Sequence, residues 1–140
     1  MLDWLMDVAR ALAAAHAAGV IHRDVKPANI LIPFEGRAQL HDFGLSQDAS
    51  MPHPTNGSTP SGTLAYMAPE LLEANGQPAH PAADIYALGI TLFECATLRP
   101  PFVGDSRDHV VRQILHGRLP DVCASGRGLP RDLRHILAVA

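Results

Sequence analysis

Between Asp84 and Thr97 the chain runs Asp-Ile-Tyr-Ala-Leu-Gly-Ile-Thr-Leu-Phe-Glu-Cys-Ala-Thr, with only Thr91 and Glu94 polar between the two ends. A helix of this length that is apolar almost all round has no face to show to water. It must be buried on every side, with the other elements arranged around it. At 140 residues and 47% hydrophobic content the chain has enough material for one domain with such a core. The formal charge of -3 provides no broad basic field, which speaks against a nucleic-acid partner. No apolar run approaches the ~20 residues that cross a bilayer, and no basic signal-peptide start is present. The residues in hand therefore read as cytoplasmic, with a membrane tether elsewhere in a longer protein left open.

The segments around the central helix follow simple signals. From Leu2 to His16, Leu5, Val8, Ala9 and Leu12 recur at helical spacing in an alanine-rich stretch that Gly19 terminates. Short strands are expected at 20–21, 30–32 and 39–40, with Pro33-Phe34-Glu35-Gly36 as turn material. Residues 46–62, rich in Pro, Gly, Ser and Thr, have almost nothing to bury and read as a surface loop. A short helix is expected at 68–72 and a loop at 75–81. Ser106 is placed to cap a helix through Val110, Val111, Ile114 and Leu115. Pro130 is placed to open a last one through Leu133, Ile136 and Leu137.

Cys95 and Cys123 form no C-x-x-C pair and read as free thiols in a reducing compartment. The histidines show no helical i, i+4 pair of the kind that holds a metal. Asp3, Asp7, Arg10, Asp108, Arg112, Asp132 and Arg134 read as solvated helix faces.

The chemistry is concentrated in four short segments. His22-Arg23-Asp24-Val25-Lys26-Pro27-Ala28-Asn29 is followed by Asp42-Phe43-Gly44, then by Gly62-Thr63 and Ala68-Pro69-Glu70. In isolation each Asp or Asn would be a turn or capping residue and Lys26 a solvated charge. In this order and at these intervals they closely resemble the eukaryotic-like (Hanks-type) serine/threonine protein kinases. The motifs are the H-R-D catalytic loop ending in Asn, the D-F-G metal motif and the A-P-E that closes the activation segment. The alanine-rich style looks like that of bacterial members.

That resemblance implies an α+β, protein kinase-like fold: a mainly helical C-lobe with a short β-hairpin at the catalytic cleft. It implies transfer of the terminal phosphoryl group of ATP, with Mg²⁺, to Ser or Thr of protein substrates. Asp24 resembles the base and Lys26 the lysine that reaches the transferring phosphate. Asn29 and Asp42 resemble the magnesium ligands, Leu31 the floor under adenine, and Thr63 the threonine of the substrate-binding segment. His22 and Phe43 resemble two members of an apolar stack, and Asp84 the aspartate that anchors the catalytic-loop backbone. Glu70 resembles a glutamate whose arginine partner would lie beyond Ala140. Arg23 resembles the arginine that reads a phosphate on the activation segment, with Thr55 and Thr59 the preferred acceptors beside Ser58 and Ser61.

No G-x-G-x-x-G loop precedes the catalytic loop, and the nucleotide-clamping N-lobe of the family would lie before Met1. Residues 1–140 thus read as a partial kinase domain, truncated at both ends and inactive in isolation. The alternative from another class is a catalytically silent kinase-like binding module.

Overall fold

The computed structural model describes residues 2–43, 47–48, 61–73, 80–117 and 119–120. Helix α1 (Leu2–Ala17) carries Asp3 in its first turn and His16 in its last, each complementing the helix dipole. Val8 and Leu12, four apart on one face, are fully buried. Gly19, at φ +76°, takes the left-handed conformation that ends the helix without a Cβ clash. Strand β1 (Val20–Ile21) leads into the segment 22–26 and a 3₁₀ turn, Pro27–Asn29. Strands β2 (Ile30–Leu31) and β3 (Gln39–Leu40) follow as an antiparallel hairpin with Ile30 opposite Leu40.

Strand β4 (Gln47–Asp48) pairs antiparallel with β1, Val20 opposite Asp48, so there are two small sheets among the described residues rather than one hairpin. The loop expected over 46–62 is corrected at both ends, since Ser61–Leu64 forms the short helix α2. Backbone pairing requires no apolar side chain, so composition gave no sign of β4. Residues 49–60, including Thr55, Ser58 and Thr59, lie outside the described residues, as do Gly44, Cys123 and the helix expected after Pro130.

Helix α3 (Pro69–Glu73) precedes the central helix α4 (Ala82–Thr97), which starts two residues before the expected Asp84 because Pro81 opens it. Its burial is as the sequence demanded, with Ala83, Asp84, Ala87, Leu88, Ile90, Thr91, Leu92, Phe93 and Ala96 all buried. Each described core cluster takes a share of α4. Ala87 and Leu88 pack with Val8, Leu12 and Val25, Ile90 packs with Leu64, Phe102, Val110 and Ile114, and Leu92 and Phe93 meet Leu5. Ile85 departs from the expectation at 52% exposed. It shares a side of the helix with Leu92 but lies two turns nearer the start, beyond the packing that covers Leu92.

Helix α5 (Arg107–His116) is capped as expected, Ser106 accepting from the His109 N–H at 3.2 Å. At its other end Gly117 donates to the Gln113 carbonyl, and a Cβ there would sit 2.2 Å from that oxygen. No helix among the described residues is long and apolar enough to cross a membrane.

Candidate active site

The site is built on a buried carboxylate. Asp84, in the first turn of α4 and 1% exposed, accepts from the His22 N–H at 2.9 Å and from the Arg23 N–H at 2.8 Å, one to each oxygen. His16 Nε2, from the last turn of α1, donates to Oδ2 at 2.7 Å. Three donors offset the cost of burying the charge. They also tie α1 and α4 to the segment that follows β1, which is the anchoring expected of Asp84.

That anchoring has backbone strain to hold. Arg23 has φ 69° and Asp42 φ 63°, a left-handed region that costs a side-chain-bearing residue about 1–2 kcal/mol. The Arg23 guanidinium has its pKa lowered by burial, an effect that the neighbouring Asp84 charge opposes.

His22 is fully buried and its two nitrogens have distinct partners. Nε2 lies 3.0 Å from the His41 carbonyl and Nδ1 accepts the Asp24 N–H at 3.3 Å, so the ring carries a proton on Nε2. Phe43 meets this ring edge-on, with centroids 4.5 Å apart, as the stacking expectation required. The His41 N–H also donates to the Asn29 carbonyl at 2.8 Å. This backbone bond brings Asp42, one residue on and exposed, beside the end of the 22–29 segment.

Asp24 is 7% exposed. Its Oδ2 accepts from Lys26 Nζ at 2.7 Å and from Asn29 Nδ2 at 2.9 Å, and Asn29 Nδ2 also reaches the Asp24 carbonyl at 2.7 Å. Lys26 Nζ donates in addition to Thr63 Oγ1 at 3.0 Å, joining the segment to α2 across 37 positions of sequence. Asp24 Oδ1 is buried and has no hydrogen-bond partner among the described residues. A carboxylate oxygen in that state is a strong acceptor oriented by its held twin. Pro27 starts the 3₁₀ turn that aims Asn29 inward, where the missing proline N–H leaves no donor unsatisfied.

The structure therefore brings Asp24, Lys26, Asn29 and Thr63 into one hydrogen-bonded group, with Asp42 alongside. Leu31 stands apart from this network on β2, 51% exposed. Glu70 is exposed on α3.

Sequence reasoning missed three partnerships. His16 offered no signal, since its partner is 68 positions away. Asp7 is not a merely solvated residue. Its carboxylate accepts from the Ala38 N–H at 3.2 Å and lies 3.3 Å from Arg37 Nε, holding the β2–β3 hairpin to α1. Arg10 sits 3.6 Å from the same group. Glu94, the one mid-helix charge in α4, accepts from the Tyr66 hydroxyl. A charge in an otherwise apolar helix was the available signal, because burial demands a partner.

The sequence also resembles known proteins. The protein kinase domain family matches residues 1–130. The chain belongs to that family. Among its relatives, serine/threonine-protein kinase PknL of Mycobacterium tuberculosis is 38% identical over 136 residues, 97% of this chain and 34% of the relative. PknA of the same species is 44% identical over 104 residues, 74% of this chain and 24% of that kinase. PknH of Mycobacterium bovis is 42% identical over 134 residues, 96% of this chain and 22% of its own length. The chain thus spans about a third or less of the curated kinases it matches.

Proposed function

We propose that this chain forms the C-lobe of a protein kinase that transfers the terminal phosphoryl group of ATP to Ser or Thr hydroxyls of proteins. The observation that carries the reading is the divided Asp24 carboxylate. One oxygen is fixed by Lys26 and Asn29, while the other, buried, has no hydrogen-bond partner among the described residues. A substrate hydroxyl that donates to Oδ1 would be oriented for attack and would give up its proton there. Lys26, held between Asp24 and Thr63, is the cation in reach of the transferring phosphoryl oxygens and offsets their charge. The same lysine thereby couples the segment that carries Thr63, where a peptide would lie, to the reacting group.

The donor chemistry at the neighbouring strand ends fits magnesium. Asn29 and Asp42 offer an amide and a carboxylate oxygen, hard ligands of the type that Mg²⁺ combines with water and phosphate oxygens. When bound, the ion supplies charge neutralisation for the ATP phosphates. The chain's own contribution is to hold Asn29 through its bonds to Asp24 and to set Asp42 through the His41–Asn29 backbone bond. Leu31, half-exposed on β2 and apart from the Asp24 network, is in this proposal the apolar surface for the adenine ring. Arg23 is the reader of a phosphate on Thr55 or Thr59 in this proposal, and phosphosite mapping of active protein that found none on residues 50–63 would remove that part of it.

The test is transfer of label from γ-labelled ATP to a protein substrate by the protein at its full native length. Asp24→Asn, which keeps the shape and the hydrogen bonds to Oδ2's position but cannot take the proton, is expected to lower kcat by about 10²–10⁴-fold. Transfer at the unmodified rate by that variant would remove Asp24 from its assigned role.

A further inference from the structure

We propose that Gln113 is a positioning residue for the protein substrate: from α5 its amide fixes one wall of a cavity that takes an apolar side chain of that substrate. The inference rests on the kinase reading above. The cavity, about 320 Å³, has Ala65 and Tyr66 on the segment after α2, Phe102, Val103 and Gly104 on the connection between α4 and α5, and Val110 on α5. Its size is within the ~300–1,000 Å³ of sites that take ligands, and its lining side chains are apolar apart from the Tyr66 hydroxyl, which is committed to Glu94. Tyr66 also lines the gap of about 10 Å³ beside Asp24 and Thr63, and its N–H donates to the Thr63 carbonyl at 3.2 Å. The cavity therefore continues the segment along which the peptide would lie.

The wall at Val103 and Gly104 has little of its own to hold it. Val103 is 61% exposed, and among the described residues its backbone bonds to no other backbone group. Gln113 supplies both partners. Its Oε1 accepts the Val103 N–H at 3.1 Å and its Nε2 donates to the Val103 carbonyl at 2.8 Å, the pairing that a neighbouring strand would provide. The second amide hydrogen is directed at His109 Nε2, 3.1 Å away and one turn earlier on α5. An amide nitrogen only donates, so His109 accepts here and the Gln113 amide has a single orientation. His109 in turn backs Gly104, where a Cβ would sit 2.9 Å from the ring.

Gln113 touches neither Asp24, Lys26 nor Thr63, so its loss acts on the peptide and not on the transfer step. Without the amide, the Val103 N–H and carbonyl turn to water and the wall no longer keeps its place against Tyr66. Two hydrogen bonds partly open to water make a difference of roughly tenfold in an equilibrium. Gln113→Met keeps the length of the side chain and forms neither bond.

The test is steady-state transfer by the protein at full native length to a Ser-containing peptide drawn from a site that the unaltered enzyme phosphorylates, and to versions of it with each apolar residue replaced in turn by alanine. Gln113→Met is expected to raise KM for the parent peptide about tenfold, leaving kcat and KM for ATP within about twofold. In the unaltered enzyme one alanine replacement should raise KM by a similar factor, and in Gln113→Met that same replacement should add less than about twofold. An unchanged KM for peptide in the variant, a fall in kcat in place of that rise, no alanine replacement that raises KM, or alanine effects that multiply in full at every position would overturn the proposal. If methionine prevents folding, Gly104→Ala, which drives the wall away from the His109 ring, takes its place with the same expectations. Absence of phosphoryl transfer by the unaltered protein is a different result: it would overturn the kinase reading and this inference with it.

Discussion

Asp84 and Asp24 are both buried aspartates, yet their surroundings divide their work. Asp84 has donors on both oxygens and serves as a fixed anchor, whereas Asp24 keeps one oxygen without a partner among the described residues. Replacing Asp84 by Asn exchanges one acceptor for an NH₂ group facing an N–H. The expected cost is about 3 kcal/mol of stability, read as a lowered denaturant midpoint with an unchanged m-value. A change below about 0.5 kcal/mol would mean that the anchor is dispensable. At this scale the sequence was most informative where motifs fix several residues at once, as from His22 to Asn29. It was least informative where a contact joins distant singletons. His16 and Asp7 look like ordinary helix-surface residues, because the bond that matters in each case is made by a partner from another element.

Among the elements, α4 and α5 were legible because their signals are physical necessities: a helix without a polar face must be central, and a serine before an apolar period satisfies free N–H groups. Removing the α5 cap by Ser106→Ala is expected to cost about 1 kcal/mol, measured by thermal or denaturant unfolding. The end of α4 offers the opposite change. Leu98 closes the helix at φ 59° with its side chain 64% exposed, so it bears the strain of the left-handed region while burying little. Leu98→Gly is expected to raise stability by about 1 kcal/mol, and a loss would show that the exposed side chain makes a contribution larger than the strain. The β1–β4 pairing was illegible for a definite reason. Two residues make no periodic pattern, and Gln47–Asp48 has the composition of the loop around it.

For the whole molecule, burial around α4 affects ionisation as well as packing. Burial, followed by the Glu70 charge, pushes the Tyr86 phenol up to about 12. Tyr66 is raised by burial and by its bond to Glu94, and the Cys95 thiol by burial and the Glu94 charge. All three groups hold their protons more tightly when folded than when unfolded. Their contribution is therefore complete below the unfolded values of 9.0 for Cys95 and 10.0 for the tyrosines, and is lost as pH rises through the folded ones. Denaturant midpoints are expected to fall between about pH 8 and about pH 11, and Tyr86→Phe should flatten that fall. A midpoint that rises with pH over the same interval would contradict the sign. The helix-rich kinase architecture was legible at this scale because one ordered set of motifs spans Asp24 to Glu70, and family membership over residues 1–130 agrees with it.

The most direct test of the central claim is to identify the amino acid that receives phosphate. The protein at full native length is incubated with ATP, Mg²⁺ and a protein substrate, and the modified residues are mapped by mass spectrometry. Phosphate on Ser and Thr, lost in the Asp24→Asn variant, is the expected result. No phosphate, or phosphate on Ser and Thr that persists undiminished in that variant, would contradict the account of Asp24 as the group that takes the hydroxyl proton.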